Sequence, residues 1–467
     1  MEGSSSTKWV GCLREVKTVS LVAAPMVVVM VLQFLVQFVA TMMVGHLDQL
    51  SLSAASIGSA FSLVTGFTVL VGMAGGLETL CGQAYGAEQY YKLGTYTYCA
   101  MASMTLACIP ISILWLFTDK LLILAGQDPS ISILAREYSI YLIPGLFAYA
   151  MLQSMMRYFQ TQSLILPMLF ASLATMCLHV PLSWFLVFKT ELRFIGAALA
   201  VSISTWANVI LLGIYMVCSS KCAKTLPKFK FREVLSGTGE FLRFAVPSAM
   251  MTCLEWWSYD VLILLAGLLP NPKLETSVIS ICFSITYLHY YIPYGFGATV
   301  STRVSNELGA GHPKAAKMAV QAVMILAGME LAIVILPLFL CRHILGYAFS
   351  NDEEIVDYVA DMAPFMCLSA TMDTLQSVLS GVVRGSGKQN MGAFVNLGAY
   401  YFVGTPLAAI LAFVAHLGGK GLIIGLATGS GIQAAMFGIR LILIDWEEQA
   451  LKARERIFHG VELQEGP

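Results

Sequence analysis

Twelve long apolar runs follow one another along this chain. They cover residues 17–45, 52–80, 93–117, 132–157, 163–188, 195–218, 239–269, 275–302, 314–341, 355–381, 389–415 and 418–444. Each is long enough to cross a bilayer as a helix, which takes roughly 20 apolar residues. The residue content agrees, with 57% hydrophobic and 12% charged positions against about 25% charged in soluble domains. The expected fold is an all-α membrane protein of twelve transmembrane helices.

The longest polar connection, 219–232, follows the sixth run and carries Lys221, Lys224, Lys228, Lys230 and Arg232. It suggests a polar tail over 1–16, a first lobe over 17–218, a linker over 219–238, a second lobe over 239–444 and a second tail over 445–467. With the start of the chain in the cytoplasm, 20 of the 27 Lys and Arg fall on that side. The positive-inside rule then places both termini in the cytoplasm.

The two halves repeat each other. A shift of 222 residues carries Pro25 onto Pro247 and Gly45 onto Gly267, and a shift of 223 carries Gly86-Ala87 onto Gly309-Ala310. Six helices per half means that both halves enter the membrane from the same side, so the lobes should be related by a pseudo-two-fold along the membrane normal. Transporters built this way bind substrate between repeats and alternate access by rocking them. Pro25 and Pro247 occupy equivalent places, and a proline kinks a helix, so both are candidate hinges.

The halves are unequal in charge. Glu255 aligns with Gln33, Asp260 with Phe38 and Asp373 with Ala150. An acid inside a membrane span costs on the order of 2.5–3.5 kcal/mol when charged and by default marks an ion or substrate pathway. Glu255 and Asp373 are therefore the candidate proton-coupling residues. Gln33, Trp256, Tyr259, Gln376, Asn396 and Tyr400 are candidate cavity residues. Gln376 shares a helical face with Asp373 at i+3, and Asn396 shares one with Tyr400 at i+4. Adjacent Trp256 and Trp257 cannot share a face. Glu78 is a candidate gate residue, pairing with Arg303 at the matching end of the eighth run. Glu330 in span nine has no polar company, and His179 reads as a packing histidine.

Four segments carry a family likeness. They are Leu77-Glu78-Thr79-Leu80-Cys81-Gly82-Gln83-Ala84-Tyr85-Gly86-Ala87, Cys253-Leu254-Glu255-Trp256-Trp257, Ser301-Thr302-Arg303-Val304-Ser305-Asn306-Glu307-Leu308-Gly309-Ala310-Gly311, and Arg384-Gly385-Ser386-Gly387 followed by Asn396-Leu397-Gly398-Ala399-Tyr400-Tyr401. With these the chain resembles the plant branch of the multidrug and toxic compound extrusion (MATE) transporters. The resemblance implies a V-shaped inter-lobe cavity open to one side at a time, and export of organic compounds from the cytosol driven by inward proton flow. It also implies coupling on the glutamate of span seven and an acid of span ten, matched here by Glu255 and Asp373. Proton-coupled bacterial members use an aspartate in span one, where this chain has only Gln33 and Gln37.

The expected partners are a small organic substrate, protons and the lipid bilayer. Cationic or neutral aromatic substrates suit the aromatic, acidic second half. No metal, cofactor or nucleic acid is expected, and the chain is expected to work as a monomer in the plasma or vacuolar membrane. A sodium-coupled exporter of the same fold and a lipid flippase are the alternative transport readings. The flippase reading calls for Arg and Lys deep in the spans, where this chain holds almost none. An enzyme would need a catalytic cluster that the sequence does not display.

Overall fold

The computed structural model describes residues 2–349 and 352–458; the end of the expected second tail, 459–467, lies outside them. Helix α1 (Glu2–Gly45) opens the chain. Helix α2 (Gln49–Ser62) runs through a π-helical turn, Leu63–Phe67, into α3 (Thr68–Gly86). Helix α4 (Tyr90–Leu116) and short α5 (Thr118–Leu124) lead to α6 (Pro129–Thr161), α7 (Ile165–Phe188) and α8 (Arg193–Cys218). After the linker come α9 (Phe231–Ala266), α10 (Pro272–Gly309) and α11 (Pro313–Leu340). Short α12 (Arg342–Leu345) precedes α13 (Glu353–Gly385). Helix α14 (Gln389–Asn396) continues through π-helical Leu397–Gly404, α15 (Thr405–Ala409) and a second π segment, Ile410–Val414. Helices α16 (Gly419–Ile442) and α17 (Trp446–Phe458) close the chain.

Eleven of these helical stretches are long and apolar enough to cross a membrane. Helix α10 is as long, but Thr286, Tyr287, His289, Tyr290 and Tyr291 crowd its middle with polar groups and keep it off that set. The starts of α2, α6 and α13 are capped by acids placed one residue upstream. Asp48 accepts from the Ser51 N–H at 2.8 Å, a bond that also holds its carboxyl below the usual carboxylate range. Asp128 and Asp352 do the same for α6 and α13, each cap contributing about 1 kcal/mol. The polar head expected as a tail continues α1, and the linker region already turns helical at Phe231.

The chain forms two compact units, divided inside helices rather than in the linker. The first unit is Val28–Ala249; the second takes the chain up to Val27 and from Met250 onward. Both divisions fall two residues past a proline, Pro25 in α1 and Pro247 in α9.

In the first unit the linker is held by side chains. Tyr158 donates to the Thr225 hydroxyl at 2.6 Å, and Thr225 donates to Gln162 Oε1 at 2.9 Å. Glycines let helices touch: a Cβ on Gly76 would lie 2.9 Å from the Ala245 nitrogen. In the second unit α10 and α13 meet backbone to backbone, where a Cβ on Gly381 would lie 2.1 Å from the Gly297 carbonyl oxygen. Helix α16 meets α15 in the same way at Gly425 and Ala408. The start of α1 is tied in by Glu15, 2.9 Å from the Arg303 guanidinium.

The internal repeat is visible in the turns. Glu88 and Ser163 have φ of 58° and 57°, while Gly311 and Gly387 have 78° and 77°. A shift of 223 residues relates the first of each pair, and 224 the second. The same left-handed turn recurs, with glycine in the second half and a residue bearing a Cβ in the first.

Candidate functional site

Helix α9 brings Glu255 into the second unit, where the side chain is 5% exposed. Three donors converge on it. Tyr290 from α10 donates to Oε1 at 3.0 Å, Gln376 from α13 to Oε1 at 3.0 Å, and Gln433 from α16 to Oε2 at 3.4 Å. Asp373 on α13 is likewise 5% exposed and has three donors. Tyr259 lies at 3.0 Å and Ser430 at 2.8 Å from Oδ1, and Ser369 at 3.2 Å from Oδ2. Hydrogen bonds to a charged group contribute about 1.5–3 kcal/mol each. Three such bonds partly offset the cost of burying each acid, about 2.5–3.5 kcal/mol when charged.

The two acids are joined through α14 and α16. Asn396 donates Nδ2 to the Met251 carbonyl at 2.7 Å, which leaves its Oδ1 facing Gln433 Nε2 at 2.8 Å. That fixes the Gln433 amide, whose Oε1 accepts from the Tyr400 hydroxyl at 2.7 Å. Tyr400 stands 3.2 Å from Ser430, and Ser430 donates to Asp373. Tyr400 lies in the π-helical segment Leu397–Gly404; such local departures from α geometry are frequent at functional sites.

A proton count exposes a mismatch in this chain. Tyr400 spends its one hydroxyl proton on Gln433, and Ser430 spends its one on Asp373. The Tyr400–Ser430 contact is then left without a hydrogen. A proton on Asp373 cures it: Asp373 donates to Ser430, and Ser430 turns to donate to Tyr400. Glu255 is different, because two of its three donors are amide N–H groups, which cannot accept a hydrogen bond. A protonated Glu255 must turn its hydrogen toward Tyr290 or break away.

The structure thus brings Glu255, Tyr259, Asp373, Gln376, Asn396 and Tyr400 into one network. Trp256 flanks it, edge-on to Tyr287 and Tyr290 with ring centroids 6.1 and 6.4 Å away, while Trp257 is 36% exposed. Gln33 lies in the first unit, with its amide on the Met156 sulfur at 3.5 Å. Sequence reasoning missed Tyr290, Ser369, Ser430 and Gln433. Ser430 and Gln433 stand at i and i+3 on α16, the kind of spacing that singled out Asp373 and Gln376.

Two expectations are corrected. Glu78 does not wait for Arg303: it is paired with Arg157 at 3.0 Å, both side chains being 2% exposed or less. Arg303 is engaged by Glu15 and by Glu307 at i+4, at 2.9 and 3.0 Å. Each charge finds a partner in its own unit, as buried charges must. Glu330 does have polar company, since His289 Nε2 lies 2.6 Å from its Oε1 and Thr374 Oγ1 3.5 Å from its Oε2. His179, fully buried, meets the Ser204 hydroxyl at 2.9 Å.

The MatE family model matches this chain twice, over residues 25–185 and 247–410. The chain belongs to the MATE family. Its two matched segments open on Pro25 and Pro247, the repeat-related prolines. Among relatives, Protein DETOXIFICATION 14 of Arabidopsis thaliana is 50% identical over 97% of this chain and 93% of its own length. Protein DETOXIFICATION 12 of Arabidopsis thaliana is 50% identical over 95% and 92%. The crystal structure of the eukaryotic MATE transporter AtDTX14 superposes with a TM-score of 0.92 at 49% identity, covering 96% of this chain and all of that one. An outward-facing structure of a multidrug resistance MATE family transporter shares the fold alone, with a TM-score of 0.81 at 17% identity over 95% and 97% of the two chains. This member of the MATE family is therefore an integral membrane transporter, and the resemblance seen in its sequence is borne out.

Proposed function

We propose that this MATE transporter is a proton-coupled antiporter that exports cationic or neutral aromatic organic compounds from the cytosol. The observation that carries the reading is the buried network joining Glu255 to Asp373 through Gln433, Tyr400 and Ser430. Counted with both acids ionised, it is one hydrogen short at Tyr400 and Ser430. Protonation of Asp373 turns Ser430 around, and protonation of Glu255 sets its new hydrogen against two amide N–H groups. Proton binding therefore changes the hydrogen bonds that join α9, α13, α14 and α16. A transporter couples two flows when the ion stabilises one packing and the substrate another.

In this reading twelve helices form two six-helix lobes related by a pseudo-two-fold, with a V-shaped cavity between them. The lobes rock about Pro25 and Pro247. Gln33, Trp256 and Tyr259 contribute to the substrate surface. Both termini face the cytoplasm, the protein works as a monomer in the plasma or vacuolar membrane, and protons are its only cofactor.

The test uses purified protein in liposomes and a fluorescent organic cation. An imposed pH gradient is compared with an imposed sodium gradient for wild type, Glu255→Gln, Asp373→Asn and Gln33→Ala. A pH gradient should drive the wild type, both acid variants should lose transport, and Gln33→Ala should lose less. Transport driven only by sodium, or pH-driven transport surviving in both acid variants, would overturn the coupling assignment.

A further inference from the structure

A second acid–base pair lies in the same unit, outside the network described above. Helix α10 carries His289 and helix α11 carries Glu330, and their side chains are 8% and 7% exposed. The 2.6 Å separation between Nε2 and Oε1 is at the short end for N–H···O bonds, where charge assistance is the rule. His289 therefore donates from Nε2 to a Glu330 carboxylate. That leaves Nδ1, which is buried and has no hydrogen-bond partner among the described residues. An imidazole with its Nε2 hydrogen in use presents a bare lone pair at Nδ1. Such a lone pair, shielded from water and backed by a carboxylate on the far side of the ring, is a seat for a proton.

We propose that His289 and Glu330 form a second proton-binding site, loaded at Nδ1 of His289 and separate from Glu255 and Asp373. Loading forms one N–H bond and takes the pair from a net charge of −1 to zero. The surroundings connect the pair to the main network by two routes. Thr374 reaches Glu330 from α13 and is the chain neighbour of Asp373. Tyr290, the chain neighbour of His289, holds Glu255. The titratable and charged groups facing His289 are Glu330 from α11 and Asp373 from α13, and Asp373 feels its charge. Beyond Tyr290 stand Glu255 from α9 and Arg384 from α13, while α16 offers the neutral Ser430 and Gln433. A proton at His289 thus changes the charge that Asp373 meets, so the pair biases proton exchange at Asp373.

Only that last consequence rests on the antiport reading; the site itself does not. The test is a pH titration by NMR of the purified full-length protein with 15N-labelled histidines, of which there are seven. The His289 signals are identified by their loss in His289→Gln. They should show the Nε2–H form at high pH and titrate to the doubly protonated ring as the pH falls. Glu330→Gln should move that titration by about one pH unit or more, as loss of an adjacent opposite charge does. Should Glu330→Gln fail to fold, Glu330→Asp keeps the charge but draws it back from Nε2, and should move the titration in the same direction by less. Signals that stay unchanged from pH 5 to 9, or that ignore both Glu330 substitutions, would overturn the proposal. In liposomes, His289→Gln should shift the pH profile of transport by a similar amount and keep pH-driven uptake; an unchanged profile counts against the pair. If the wild type is not driven by protons at all, the antiport reading falls while the NMR titration still decides the site.

Discussion

Tyr400 donates its hydroxyl to the side-chain carbonyl of Gln433 over 2.7 Å, the amide being turned that way by Asn396 Oδ1 at its other end. With Oε1 occupied, the Nε2 group is left for Asn396, Ser380 and Glu255. Gln433 thereby links Glu255 to Tyr400 and, through Ser430, to Asp373.

Replacing it tests whether the two acids act together. Gln433→Leu keeps the volume and removes both ends of the link. Loss of a hydrogen bond to a charged group costs about 1.5–3 kcal/mol, which is roughly a 10- to 100-fold change in an equilibrium constant. Transport driven by a pH gradient should fall by about that factor with the protein still folded. Unchanged coupled uptake in this variant would mean that Glu255 and Asp373 work independently.

The buried pair of Glu78 and Arg157 makes a different prediction. Each residue is 2% exposed or less, so removing the Glu78 charge leaves buried Arg157 without that counter-charge, with Gln160 still accepting from it at 2.6 Å. Glu78→Gln should destabilise the folded protein by about 3–5 kcal/mol, while the double change Glu78→Leu with Arg157→Met should recover most of it. Thermal unfolding in detergent measures both. A double variant as unstable as the single one would show that the pair holds more than each other's charge.

Gly381 and Gly438 give a matched comparison. A Cβ on Gly381 would lie 2.1 Å from the Gly297 carbonyl oxygen, whereas nothing lies within 4 Å of one on Gly438. Gly381→Ala forces α10 and α13 apart and should cost about 1–3 kcal/mol or more. Gly438→Ala removes a helix-interior glycine and should gain up to about 1 kcal/mol. Melting temperatures that move the same way in both would contradict the close approach of α10 and α13.

The repeat predicts where stability can be added. Glu88 and Ser163 hold the left-handed turns that Gly311 and Gly387 fill in the second half. That conformation costs a residue bearing a Cβ roughly 1–2 kcal/mol. Glu88→Gly and Ser163→Gly should each raise stability by several tenths of a kcal/mol, after the added freedom of the unfolded chain is offset. A drop in melting temperature for both would show that the two side chains contribute more than the turn costs.

Some of the site was legible before any fold was known. Glu255 and Asp373 stand out because a charge in an apolar span has to be explained. Gln376 and the Asn396–Tyr400 pair follow from helical spacing. Ser430 and Gln433 share that spacing, but neutral polar groups are tolerated in membrane helices and raise no alarm alone. Glu330 was misjudged because its partner His289 lies 41 residues away on another helix. Glu78 was matched to the wrong arginine for the same reason, its true partner Arg157 being on α6.

The sequence by itself determined that the chain is helical, that its helices are of membrane length, that its halves repeat and that it belongs among the MATE transporters. Those properties live in composition, in the length of apolar runs and in motifs that are local along the chain. Tertiary structure alone decided which polar atom answers which. A hydrogen bond or an ion pair depends on position to a few tenths of an ångström. Residues from α9, α10, α13, α14 and α16 reach that precision only after glycines such as Gly297 and Gly381 let their helices touch.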